Sequence, residues 1–146
     1  MSLFESLHIS ATGMTANRLW LDLIANNVAN INSTGTPGDP NNKPYRRQAP
    51  VFRQVLRQQL GAAPAAVSPG LGVRVSQLVQ DAGEPRLVYD PDHPDAHPET
   101  GYVAYPNINI LNEMVNMLAA TRAYEANVTA FEAAKQMYLS ALEMGR

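Results

Sequence analysis

From Ile110 almost to the last residue the chain steps by four and three through Ile110, Met114, Met117, Thr121, Tyr124, Val128, Phe131, Lys135, Tyr138 and Leu142. A repeat averaging 3.5 residues is an a/d heptad seam, and it demands a long helix laid along other helices. No proline interrupts it after Pro106. Asn107 or Asn109 supplies the N-cap, and Glu113 falls in the first turn, where the macrodipole favours an acid. Thr121 and Lys135 are polar seam positions of the kind that set register and partner choice. Off the seam, Leu111, Val115, Leu118 and Leu139 widen the apolar stripe beyond what one partner helix covers.

The amino-terminal end answers with a second stripe. Leu7, Met14, Leu21 and Val28 recur every seven residues, with Ser10, Asn17, Ile24 and Ile31 three further on, and Leu3, Phe4, Trp20 and Leu23 broaden the face. At about 1.5 Å per residue, a helix over this stretch is roughly 45 Å long, more than a small domain covers. Its tail is dense in asparagine: Asn26, Asn27, Asn30 and Asn32. Asparagine is a weak helix former, but its amide both donates and accepts. Asn30 and Asn32 suit a helix C-cap as well as an interhelical contact, whereas Asn26 and Asn27 suit contacts between packed helices.

Between the stripes, Gly35, Pro37, Gly38, Pro40, Pro44 and Pro50 predict a long loop with no regular element from Ser33 to Pro50. A small β module follows. Val73, Val75 and Val79 alternate with Arg74, Ser76 and Gln80, and Arg86-Leu87-Val88-Tyr89 is the expected partner strand across a Gly83-Glu84-Pro85 turn. Residues 51–60 fit both strand and helix periods, and 61–70 read as a loose connector. The expected fold is mainly α with a small β module: an N-terminal helix at 1–34, a loop at 35–50, a β-rich central module at 51–106 and a C-terminal helix at 107–146. The two long helices pair as a coiled-coil-like bundle.

Composition narrows the function. A 45% hydrophobic chain of 146 residues is not wholly disordered, and 11 basic against 13 acidic residues leave no basic face for nucleic acid. There is no cysteine, so no disulfide or thiolate chemistry is available. The first residues lack the pattern of a cleaved Sec signal, and no run is apolar enough for membrane insertion. No catalytic, cofactor-binding or small-molecule site stands out. His93 and His97, with Asp92, Asp95 and Glu99, suggest a metal-dependent enzyme as an alternative. Pro91, Pro94 and Pro98 exclude the helix that would bring both histidines to one face, which leaves an exposed acidic loop and no metal assigned. A stand-alone coiled-coil adaptor is another alternative. Fully burying one Leu or Val is worth about 1.5–3 kcal/mol, so stripes this wide call for assembly with other chains.

Two segments carry a family resemblance. Ala25-Asn26-Asn27-Val28-Ala29-Asn30 near the end of an N-terminal helix resembles the signature of the flagellar rod and hook family. Gly101-Tyr102-Val103, Pro106-Asn107-Ile108-Asn109, Glu113-Met114-Val115 with Met117, Arg122-Ala123-Tyr124-Glu125-Ala126-Asn127 and Ala134-Lys135-Gln136-Met137 are similar to the C-terminal half of its proximal-rod branch. The likeness covers residues 1–35 and 86–146, with Lys43-Pro44-Tyr45-Arg46 between them. Thr34-Gly35-Thr36-Pro37 departs from the Thr-x-Gly-Tyr common in the family.

The resemblance implies a structural subunit, not an enzyme, of the rod that crosses the periplasm, encloses the export channel and carries torque from motor to hook. It implies partners among other rod subunits and copies of the same chain, and passage unfolded through the flagellar type III export apparatus. The terminal helices would form the inner tube. The interface residues expected from the stripes and the signature are Leu7, Met14, Leu21, Ile24, Asn26, Asn27, Val28 and Asn30 on the first helix. On the second they are Ile110, Met114, Met117, Tyr124, Val128, Phe131, Tyr138 and Leu142.

Overall fold

The computed structural model describes residues 3–55 and 71–145. In chain order the elements are α1 (Leu3–Ala29), β1 (Gln48–Gln54), β2 (Val73–Gln80), β3 (Arg86–Tyr89), β4 (Tyr102–Tyr105) and α2 (Ile110–Met144). The two long helices and the small β content between them match the expected class. The strands form two two-stranded sheets, β1 with β2 and β3 with β4. The chain divides into two compact units, and both helices contribute to each.

The first unit takes in residues 3–21, 50–55, 71–77 and 118–145. Here α1 and α2 run antiparallel. Phe4 meets Tyr138 edge to face at 5.2 Å between ring centroids, and a β-carbon on Gly13 would lie 2.7 Å from the Asn127 side chain. That contact explains the glycine in mid-helix, where it costs about 1 kcal/mol of propensity: the Asn127 side chain fills the space that a β-carbon would need. Trp20 packs against Phe52 at 5.8 Å, and the Thr12 hydroxyl accepts the amide of Val73 at 3.2 Å. These contacts seat β1 and β2 on α1.

The second unit takes in residues 22–49 and 78–117. Its β3–β4 pair is antiparallel, with Leu87 opposite Ala104 and Val88 opposite Val103, and Val103 and Ala104 are fully buried. Gly35 bridges to Ala104 through reciprocal amide bonds of 3.0 and 2.9 Å, so the stretch after α1 is stitched to the sheet. Any β-carbon on Gly35 would collide with the backbone of residues 42–44. This is the close approach that the Thr34-Gly35-Thr36-Pro37 sequence accommodates.

Three local expectations are corrected. The strand at 73–80 does not fold back on 86–89: Gly83-Glu84-Pro85 carries the chain between two sheets, and β3 pairs with Tyr102–Tyr105. The loop from Ser33 to Pro50 is not free of regular structure, because β1 starts at Gln48 and pairs despite Pro50. The helix seam on α2 is also rotated. On α2 the buried positions are Glu113, Ala120 and Ala134, with Asn127 half-buried, each one residue before Met114, Thr121, Lys135 and Val128. On α1 Gly13 and Asn27 are buried one residue before Met14 and Val28, while Ser10 and Ile24 of the expected stripe are buried as well. One residue is about 100° of rotation. Ala16, Ala120 and Ala134 fill part of the buried faces, and Met114, Met117 and Leu142 lie exposed. The reading of 51–60 and 61–70 falls largely on residues 56–70, outside the described residues.

Candidate functional site

In the second unit the last turns of α1, the segment leading into β1 and the first turn of α2 meet in a buried polar cluster. Asn27 and Glu113 are both fully buried. The Asn27 amide nitrogen donates to the Gln48 carbonyl at 2.9 Å and to Glu113 Oε2 at 3.0 Å. Its oxygen accepts the Gln48 amide at 2.9 Å and the Tyr45 hydroxyl at 3.0 Å. The full donor and acceptor capacity of the carboxamide is thereby used.

Glu113 Oε1 takes the Arg47 Nε at 2.7 Å, and Asn116 approaches it at 3.5 Å. A buried carboxylate without such partners would cost several kcal/mol. Burial first, and the Glu113 charge second, raise the Tyr45 hydroxyl above its ordinary phenol value. Among the described residues no buried side-chain polar atom is left without a partner. The cluster offers no spare group for catalysis; it clasps three segments of chain together.

Local sequence explains each arm. Asn109 caps α2, its side-chain oxygen accepting the Leu111 amide at 2.9 Å and that of Asn112 at 3.4 Å, so Glu113 is set at a fixed turn. Asn107, the other candidate, lines a neighbouring cavity. Asn30 ends α1, its amide donating to the Asn26 carbonyl while its own carbonyl accepts the Ser33 hydroxyl and amide. Sequence reasoning gave Glu113 only a dipole role, and Arg47 and Tyr45 no role in a site. The signal was the seven-residue series Glu113, Ala120, Asn127, Ala134, whose small and polar members mark a buried face.

The expected interface residues separate into groups. Ile24 and Asn27 are buried within this chain, where they shape the end of α1 from inside. Leu7, Met14, Leu21, Val28 and Asn30 are half-buried, and Asn26 is exposed. On α2, Tyr124, Val128, Phe131 and Tyr138 are half-buried, while Ile110, Met114, Met117 and Leu142 are exposed. Beside them Leu111, Val115 and Leu118 are 68%, 65% and 64% exposed.

His93 and His97 are occupied in turns, their Nδ1 atoms accepting the amides of Asp95 and Glu99 at 3.1 and 3.3 Å. Among the described residues no group of three or more histidine, cysteine or acidic residues is placed to hold a metal, and no helix is long and apolar enough to cross a membrane.

Capped helices with a satisfied polar interior and apolar outer faces define a protein built to be packed against others, and comparison with known proteins names the class. Residues 7–35 match the family model described as flagella basal body rod protein, and residues 99–144 match flagellar basal body rod FlgEFG protein C-terminal. The chain is 41% identical to flagellar basal-body rod protein FlgC of Borreliella burgdorferi over 97% of each chain. It is likewise 41% identical to FlgC of Bacillus subtilis and 36% identical to FlgC of Escherichia coli O157:H7, each over the full length of both chains. The chain belongs to the FlgC family of flagellar basal-body rod proteins. It is a structural rod protein and not an enzyme.

Proposed function

We propose that this chain polymerises with other rod subunits and with its own copies through the outer faces of α1 and α2, forming part of the shaft that carries torque from motor to hook around the export channel. The observation that carries the reading is the disposition of apolar side chains. Among the described residues the buried apolar set is Ala16, Leu23, Ile24, Val103, Ala104, Ala120 and Ala134, mostly alanine, whereas large residues such as Leu111, Met114, Val115 and Leu118 lie exposed. Burying such a side chain from full exposure is worth about 1.5–3 kcal/mol, and these still have most of that to gain, so in this reading the chain is completed by its neighbours. A contact that joins different faces of successive copies and does not close produces a helical tube. Placement in the basal body follows the rod proteins this chain is related to; the span across the periplasm and passage through the type III export apparatus follow the family resemblance.

The test leaves the clasp intact. Leu111→Asp with Val115→Asp places two charges on an exposed strip without touching a buried side chain. The variant is expected to keep wild-type helix content by circular dichroism but to disappear from isolated basal bodies and abolish swimming. Normal incorporation would overturn the proposal.

A further inference from the structure

We propose that the open edge of β3 is a docking site for an extended strand of a neighbouring rod subunit, added to the sheet through main-chain hydrogen bonds. This rests on the assembly reading and adds a contact that the helices do not make.

The partners of β4 show which backbone groups β3 leaves free. Ala104 exchanges its amide and its carbonyl with Gly35 at 2.9 and 3.0 Å, and the Tyr102 carbonyl accepts the His97 amide at 3.0 Å. Both residues therefore turn their backbone groups away from β3. Leu87 lies opposite Ala104, and Tyr89 opposite Tyr102. Directly opposite residues of an antiparallel ladder share one alternation, so Leu87 and Tyr89 point their N–H and C=O groups away from β4. These groups have no partner among the described residues. They repeat about every 7 Å, a spacing that an extended polypeptide matches and a helix does not.

The edge also lacks the usual protection. Native edge strands are blunted by proline, lysine, a bulge or a covering element. β3 holds no proline or lysine, its register runs unbroken through four pairs, and all its residues are exposed, Leu87 to 53% and Tyr89 to 64%. Its one charge, Arg86, leans over the Tyr105 ring at 5.5 Å.

Side chains specify the occupant. Leu87 and Tyr89 share one face, where the Tyr89 ring meets Tyr102 edge to face at 5.4 Å, so the incoming strand is apolar at alternate positions. Exposed Glu84 precedes β3, and Asp90 and exposed Asp92 follow it, which favours a basic residue in that strand.

Proline tests the backbone separately from the side chain. Leu87→Pro deletes an outward amide and spares the bonds to β4, whereas Leu87→Ala shortens the side chain and keeps the amide. Leu87→Pro should lower incorporation into isolated basal bodies at least about tenfold, and Leu87→Ala by no more than about threefold. Equal losses, or normal incorporation of the proline variant, would overturn the contact. Hydrogen exchange reads the unaltered chain: the Leu87 and Tyr89 amides should exchange freely in the purified protein and be protected in basal bodies. Equal exchange in the two states would overturn it. With p-benzoylphenylalanine in place of Tyr89, light should join this position to an extended segment of another subunit. A join within the same protomer, or to a helix, would overturn it. If these results fail while Leu111→Asp with Val115→Asp still blocks incorporation, the assembly reading stands and only the edge contact falls.

Discussion

The carboxamide of Asn27 is the centre of the polar cluster, because its hydrogen bonds reach the segment before β1 at Tyr45 and Gln48 and the first turn of α2 at Glu113. Replacing it by alanine strands the Glu113 carboxylate, the Tyr45 hydroxyl and the Gln48 backbone together, with an expected loss of about 2–4 kcal/mol in urea unfolding. A double-mutant cycle of Asn27→Ala with Glu113→Ala should show a coupling of about 0.5–3 kcal/mol, and additive losses would mean the two side chains act independently. Asp95 makes a prediction of a different kind. Hydrogen bonds from Thr34, then from Asn42, with a smaller effect of His93, hold its carboxyl below the ordinary value of 3.8 against the opposing effect of burial. A carboxyl lowered in the folded state stabilises the fold above its unfolded pKa, and that stabilisation disappears as pH falls through the lower folded value. Asp95→Asn should therefore lose less stability than the wild type between about pH 5 and about pH 2, read from urea midpoints at each pH.

For the helices, the contest is between two seams offset by one residue. Met114, Val128 and Leu142 with Leu7, Met14 and Leu21 form the louder pattern, yet Glu113, Ala120 and Ala134 are the buried positions of α2, and on α1 Gly13, Ala16, Leu23 and Asn27 are buried alongside Ser10 and Ile24 of the louder stripe. Periodicity established that both ends are long helices, and this much was legible because only a helix turns the same face inward every 3.5 residues. It could not show which side of each helix turns inward, since a seam that serves a neighbouring subunit repeats as regularly as one that serves the chain itself. Gly13 discriminates between them. Gly13→Leu drives a side chain into Asn127 and should cost about 1–3 kcal/mol in thermal unfolding, with partial recovery when combined with Asn127→Ala. No loss at all would mean that the helices do not approach here. Strand pairing was less legible for a related reason. The alternation at Val73–Gln80 marks a strand but not its partner, and Tyr102-Val103-Ala104-Tyr105 is short and carries no clean alternation, so the β3–β4 pair emerges only when Gly35 and Ala104 are brought together.

At the scale of the molecule, the described residues combine a satisfied polar interior with large apolar side chains left exposed. The clasp could not be read from sequence because Asn27 and Glu113, which bond directly, are separated by 86 positions, and their further partners Tyr45, Arg47 and Gln48 sit in a stretch that read as a loop without regular structure. The asparagine-rich signature marked its place without revealing its partner. FlgC family membership makes the chain a basal-body rod protein, and other subunits of that rod are the occupants we propose for the exposed faces. The most direct test is an electron-microscopy map of the isolated basal body with this chain traced. The account predicts Leu111, Val115 and Leu118 covered by helices of neighbouring subunits while Asn27 and Glu113 stay paired inside one protomer. A map in which that strip of α2 faces solvent, or in which Glu113 leaves Asn27 for another subunit, would contradict it.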